Sequence, residues 1–335
     1  MSLKIRAKKK QSLSLVTLLP EDIIIDILAR VRRCDYLTLS LVSKHFRSLI
    51  ASRELYASRS LLGCTEHCLY VILWNGETWD YRLYILCRKA NVNHHLVPIS
   101  SLPHMRYRGS FVVVGSRIYV FGGFDPKDIA LSIDCRSHTV QTLPSMPVPM
   151  SDTIANIIDG RIYVTGIFES KKVMVVFNTE TQMWEHRKIM PDNLGDTRNA
   201  KMSFVYMPLE NSWKRDEMMN LSNKLKNSCV VDDVLYYYDD NCAKNKLKAY
   251  DQKKKCWGVV NGLENLSAEM THSLWPEIVS YGRRLALFWC RREEIWCAEI
   301  SLERRQEGEI WGKVEWCDYL MSGNLRFWKS LAVMV

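Results

Sequence analysis

Residues 61–335 repeat themselves, and the repeat limits what they can fold into. "SFVVVGSRIYVFGG" (110–123) is echoed by "TIANIIDGRIYVTGI" (153–167), "NSCVVDDVLYYYDD" (227–240) and "EIVSYGRRLALFWC" (277–290). Each copy is a short apolar strand, a polar turn with Gly, Asp or Asn, and a second apolar strand, which is the signal for a hairpin. A second echo follows the hairpins. Phe177 stands seven residues before Trp184, Tyr206 seven before Trp213, and Tyr250 seven before Trp257. Ile133 and Val140 keep the spacing without the aromatics. Two hairpins make four strands, and the unit returns about every 44–50 residues, the period of a β-propeller blade. One blade cannot bury both of its faces, so neighbours must stack around an axis.

The copies fall at about 104–148, 149–191, 223–266 and 273–320, with a shorter one at about 200–222. Trp184 and Trp213 are only 29 residues apart, and no inner hairpin lies between them. A blade there has lost its first two strands. Either the ring closes with fewer complete blades, or this blade is defective, with apolar faces of its neighbours uncovered. Residues 69–99 offer only three strands, "LYVILW", "YRLYILC" and "HLVPI". The chain ends in an apolar strand without a near partner, "FWKSLAVMV" (327–335). That strand is expected to complete the first blade and so remove exposed edges.

Residues 14–60 read differently. "LPEDIIIDILARV" (19–31) has Pro at the first turn, acidic residues after it and arginines beyond its end, all favourable for a helix. Its apolar residues occupy too much of the circumference to face one small core. "YLTLSLVSKHFRSLIAS" gives a second helical pattern, with Leu39, Val42, Phe46 and Leu49 at helical spacing. A unit of this size buries little by itself. Its excess apolar surface suits either a helical cap on the larger domain or an adhesive module for a partner.

Charge follows the same division. Residues 1–60 hold 12 Lys or Arg against 5 Asp or Glu, so they carry most of the net charge of +9. The large domain has no general basic field, and nucleic acid is not an expected partner. Residues 1–13 are expected to be a flexible basic tail. No apolar run reaches the roughly 18 residues that a membrane span needs. The 11 cysteines are scattered and several sit in apparent strands, as expected of reduced, buried thiols in a reducing compartment. "CTEHC" (64–68) has metal-like residues without a second half at zinc-finger spacing, and reads as a turn. His94-His95 and "YYYDDN" (236–241) read as strand and turn residues. No nucleophile elbow, zinc-protease helix or phosphate loop is present, so no enzyme is expected.

Two resemblances join these readings. "LLPEDIIIDILARV…LTLSLVSKHFRSLIASRELY" resembles the F-box motif, in its Leu-Pro opening, its spacing and its Val-Ser-Lys run, with Phe46 in place of the commoner Trp. "IYVFGG", with Gly122 and Gly123, and the Tyr-to-Trp spacing resemble kelch repeats; the second copy has Gly166 alone and the later two lack the glycines. From about residue 14 the chain resembles the plant F-box/kelch-repeat proteins, and "CAEISLERRQEGEIWGKVEW" (297–316) is similar to that family's last blade.

The resemblance implies an α+β multidomain chain: a small three-helix F-box (14–60), then an all-β kelch propeller (61–335) of about five to six blades, one incomplete. It implies a Skp-type adaptor as partner and through it a cullin, with Leu19, Pro20, Ile24, Ile27, Leu28 and Val42 at the interface. It gives kelch structural roles to Gly122, Gly123, Trp184, Tyr206, Trp213, Tyr250 and Trp257. The function implied is the non-catalytic substrate-recognition subunit of an SCF-type cullin-RING ubiquitin ligase, in cytoplasm or nucleus, whose propeller loops bind an unknown protein target. No cofactor or metal is implied. The alternative is a stand-alone kelch propeller that binds a glycan or small molecule, with the helices merely structural. That alternative leaves the apolar surface of 19–31 without a role.

Overall fold

The computed structural model describes residues 19–88, 93–105, 109–123, 128–189, 203–207, 210, 212–216, 228–239, 246–251, 254, 256–270, 273–305 and 308–335. The chain forms two compact units, Met1–Glu66 and His67–Val335.

The first unit is helical. It contains α1 (Glu21–Ala29), a 3-10 turn (Arg33–Asp35), α2 (Tyr36–Leu39), α3 (Lys44–Leu49) and α4 (Arg53–Leu61). Pro20 opens α1, and its carbonyl accepts the first helical bond from the N–H of Ile24. The second apolar pattern, which reads as one helix in sequence, is broken into α2 and α3. Ser43 is extended, with φ −161° and ψ 164°, and its Oγ accepts from the N–H of Phe46. A residue capping α3 from outside cannot also continue α2. Ser52 repeats the device for α4, accepting from the N–H of Leu55.

The second unit is a propeller with five four-stranded sheets and one two-stranded sheet. The first blade joins β1 (His67–Asn75), β2 (Asp80–Arg88) and β3 (His94–Pro98) to the last strand of the chain, β22 (Leu325–Met334), in the order β22-β1-β2-β3. The second blade holds β4 (Ser110–Val114), β5 (Arg117–Phe121), β6 (Ala130–Asp134) and β7 (Thr139–Thr142). The third holds β8 (Ser151–Ile158), β9 (Arg161–Phe168), β10 (Lys171–Asn178) and β11 (Met183–Ile189). Then come β12 (Ser203–Met207) and β13 (Ser212–Asp216), which pair with each other and, among the described residues, with no further strand. A further full blade has β14 (Ser228–Val231), β15 (Val234–Asp239), β16 (Lys246–Asp251) and β17 (Cys256–Val259). After the short helix α5 (Glu264–Glu269), the last blade has β18 (Leu274–Tyr281), β19 (Arg284–Arg291), β20 (Glu294–Arg304) and β21 (Ile310–Ser322).

Within blades every pairing is antiparallel. The innermost strands meet their neighbours: β18 touches β22, β22 touches β4, β4 touches β8, and β14 touches β18. β22 thus holds in the first blade the place that β4, β8, β14 and β18 hold in theirs. Closing a sheet between the two ends of a ring leaves no free edge at the seam.

The cores lie between blades. Phe121, Tyr119 and Val112 of the second blade share one with Ala155, Val164 and Phe177 of the third. Val231, Tyr236 and Ala249 share a second with Ile278, Leu285 and Trp289 of the last blade. A third joins Leu69, Val71 and Leu73 to Phe288, Ile295 and Cys297 across the seam. Glu277 of β18 also reaches β22 there. Its carboxylate lies 3.0 Å from Lys329 Nζ and accepts from the N–H of Ser330 at 3.5 Å.

Candidate partner-binding surface of the helical unit

The helical unit holds its shape through a buried cation. Arg59 of α4 is 1% exposed. Its guanidinium donates to the carbonyls of Ala29 (3.1 Å) and Val31 (2.7 Å) and to Tyr36 Oη (3.1 Å). It also pairs with Glu66 at 2.8 Å, and that carboxylate accepts from the backbone N–H of Arg33. Tyr36 Oη in turn donates to the carbonyl of Leu28 at 2.8 Å. Burial pushes the Tyr36 hydroxyl above its ordinary pKa, with Arg59 pulling it back, so it stays neutral and donates. The carbonyls freed at the end of α1 are therefore satisfied from α4. In the sequence, Arg30, Arg32 and Arg33 are the cations beside this helix end. Of these, Arg30 pairs with Asp26 on the surface, and Arg33 is buried. Arg59 was missed because nothing local marks it; it lies 30 residues from Ala29.

This anchoring divides the apolar residues of α1. Ile24, Leu28 and Ala29 are buried, and α1 packs against α4, whose Leu55 and Tyr56 are buried too. Ile24 and Leu28, two of the residues expected at the interface, are buried within the unit. Leu19 and Pro20 are exposed, Ile27 is 51% exposed and Val42 is 64% exposed. Two residues not chosen from sequence join them: Ile23, 44% exposed one turn before Ile27, and Leu41, 76% exposed beside Val42. Ile23 and Ile27 share a helix face by their i, i+4 spacing. Val42 and Leu41 are exposed because they lie in the turn that Ser43 creates. The result is two exposed apolar groups, one on α1 and one on the α2–α3 turn.

In the propeller, the aromatic kelch positions fall on neighbouring strands. The seven-residue spacing is a cross-strand pair: Phe177 lies opposite Trp184, Tyr250 opposite Trp257, and Ile133 opposite Val140. Tyr206 and Trp213 are opposite each other on β12 and β13, and their side chains lie outside the described residues. Trp184 packs edge-on against Phe177 at 5.1 Å and against Phe121 of the preceding blade at 5.6 Å, and its Nε1 donates to the carbonyl of Pro144. Gly122 follows Phe121 at φ +69°, and a Cβ there would stand 2.9 Å from Thr153. Thr153 cannot yield, since its Oγ1 donates to the carbonyl of Phe121. Gly123 also has positive φ, at 140°. Gly122 therefore lets one blade approach the next.

His94 is paired with Asp318 at 2.6 Å and stacks on Trp316, which links β3 to β21. Cys68, Cys87, Cys135, Cys290 and Cys297 are buried thiols outside any disulfide. Among the described residues no group of three or more His, Cys, Asp or Glu gathers as a metal site, and no helix is long and apolar enough to cross a membrane.

Comparison with known proteins agrees with both halves. Residues 16–58 match the model of the F-box domain, and residues 83–321 match the model described as FKB95, Kelch-repeats domain. The chain is 44% identical to the F-box/kelch-repeat protein At4g38940 of Arabidopsis thaliana, over 99% of this chain and 98% of that one. The chain belongs to the F-box/kelch-repeat family. It is also 38% identical to the putative F-box/kelch-repeat protein At3g10510 of the same plant, over 97% of this chain. Among solved structures it is similar to TolB from Acinetobacter baumannii, at 13% identity and a TM-score of 0.49, covering 84% of this chain and 73% of that one. That likeness is too slight to bear on function. In this F-box/kelch-repeat chain, the exposed apolar residues 19–42 fall within the F-box match, and the kelch match takes in β3 to β20 whole while leaving β1 and β22 of the first blade outside it.

Proposed function

We propose that this chain is the substrate receptor of an SCF-type cullin-RING ubiquitin ligase. Its F-box docks on a Skp-type adaptor, which joins it to a cullin, and its propeller holds a protein target. The observation that carries this reading is the exposed apolar surface of Leu19, Ile23, Ile27, Leu41 and Val42, in a unit that matches the F-box domain. A small helical unit that leaves five large apolar residues in water is poorly explained as a structural cap, and well explained as half of an interface. The receptor does no bond chemistry. It raises the effective concentration of a target lysine near the ubiquitin-charged enzyme, so its contribution is proximity and orientation. Its place of action is the reducing interior of the cell, cytoplasm or nucleus, where its free thiols persist.

The test is co-expression with a Skp-type adaptor and affinity co-purification. Wild type is expected to bring down adaptor in equal amount, and Ile27→Asp with Val42→Asp to bring down little. Both substituted residues are exposed, so the double variant should keep the wild-type melting temperature. Absence of adaptor on folded wild-type chain would overturn the reading.

A further inference from the structure

The turn that brings Val42 to the surface also brings a hydroxyl beside it. Ser43 is exposed, next to Val42 and two residues from Leu41, in one of the two apolar groups of the helical unit. Its backbone is extended, and it sits between two short helices, α2 of 4 residues and α3 of 6. Its Oγ accepts from the N–H of Phe46 at 3.1 Å, in an exposed hydrogen bond. Helices this short have little stability of their own, so the segment opens locally at small cost and an enzyme can take hold of it.

The charges around this hydroxyl are one-sided. No acidic residue stands between Asp35 and Glu54, while Lys44 and Arg47 are both exposed. Arg30 pairs with Asp26, and Arg59 with Glu66. Lys44 and Arg47 have no carboxylate partner among the described residues. Arg47 is nevertheless held in place. Its Nε donates to the carbonyl of Ser40 at 3.3 Å, which keeps the guanidinium at the turn that contains Ser43. An anion added to Ser43 would have both cations beside it.

We infer that Ser43 is a phosphorylation site, and that phosphate there switches adaptor docking off. This rests on the receptor reading. In the reaction a Ser/Thr protein kinase joins Ser43 Oγ to the γ-phosphorus of ATP. The bond from that phosphorus to the β–γ bridging oxygen breaks, ADP leaves, and the hydroxyl proton passes to the kinase. Lys44 and Arg47 set the class of enzyme, a kinase that prefers cations beside its serine. The phosphate carries about −1.5 to −2 charges at neutral pH. Docking must bury Leu41 and Val42 right beside that charge, and taking it out of water is costly. The fold is spared, because Ser43 is the cap of α3 and an anionic group caps a helix as well as a hydroxyl does.

The test has two arms. In the first, the full chain is incubated with Mg-ATP and plant-cell extract, and phosphate is located by mass spectrometry of its peptides. Phosphate on Ser43 is expected. Treated and untreated chains are then titrated with a Skp-type adaptor. Phosphorylation should weaken binding about tenfold or more, and a phosphatase should restore it. In the second arm, Ser43→Asp supplies charge and keeps a cap, whereas Ser43→Asn keeps the cap without charge. The two should melt together, and only Ser43→Asp should lose adaptor affinity. A chain without phosphate on Ser43 would overturn the inference. So would equal loss of adaptor in Ser43→Asp and Ser43→Asn, which would make the hydroxyl itself an interface contact. Untreated wild type that binds no adaptor removes the receptor reading, and the switch with it. Adaptor binding that survives phosphorylation unchanged removes the switch alone.

Discussion

Arg59 carries more of the helical unit than any apolar residue in it, because one side chain satisfies two terminal carbonyls, a tyrosine hydroxyl and a carboxylate. Replacing it by Met keeps the length and removes every donor. The carbonyls of Ala29 and Val31 then lose a charged partner in a place closed to water. Arg59→Met is expected to cost about 3 kcal/mol, read from urea denaturation of the isolated chain. A loss under about 0.5 kcal/mol would show that water replaces the guanidinium. Because Arg59 fixes the end of α1, the variant should also weaken adaptor binding without touching the exposed face. Glycine acts through space instead. Gly122 and Gly115 both have positive φ, yet a Cβ at Gly115 meets nothing within 4 Å, whereas at Gly122 it meets Thr153. The first is a turn glycine; the second sets a blade-to-blade distance.

Among the elements, the break between α2 and α3 matters most for function. Its apolar pattern, Leu39, Val42, Phe46 and Leu49, suits one continuous helix, and such a helix would aim Val42 with Leu49 at a core. The Ser43 cap ends that pattern, and Val42 comes to the surface. Ser43→Ala should lower stability by about 1 kcal/mol, a typical loss for an N-cap, measured as a shift of the thermal midpoint. An unchanged midpoint would mean that the turn is held by packing alone. The cross-strand aromatic pairs make the corresponding point for the blades. A spacing of seven in sequence becomes a cross-strand pair once a hairpin folds, and Trp184 then reaches the preceding blade. Trp257 packs on Tyr237 and Tyr250 of its own blade among the described rings.

For the whole molecule, the seam between β18 and β22 is where closure is settled. Glu277 is buried there, facing Lys329 and Ser330 on β22, with the Cys229 thiol of β14 nearby and pushed up to about 12 by its own burial and then by Glu277. Burial pushes the Glu277 carboxyl upward, and Lys329 and Ser330 pull it only part of the way back. The folded chain therefore holds this proton to higher pH than the unfolded chain does. The stability it contributes is complete in acid, below the unfolded value, and is lost as pH rises through the folded value. Glu277→Gln removes the titration. The variant's stability relative to wild type should rise as pH goes from about 4 to about 8, in urea denaturation at matched ionic strength. A flat difference would show that Glu277 titrates alike in both states.

Sequence by itself determined what is local. Alternating apolar residues and polar turns make hairpins wherever they occur, and the aromatic spacing survives as a register. Fourteen residues of "SFVVVGSRIYVFGG" suffice to draw a hairpin, since each strand needs only its neighbour. Only the tertiary structure decided which of the apolar residues of α1 face in. Ile23, Ile24, Ile25, Ile27 and Leu28 spread too far around the helix for one core, and the pattern does not say which of them it takes. α4 and Arg59 supply the direction, burying Ile24 and Leu28 and leaving Ile23 and Ile27 in water.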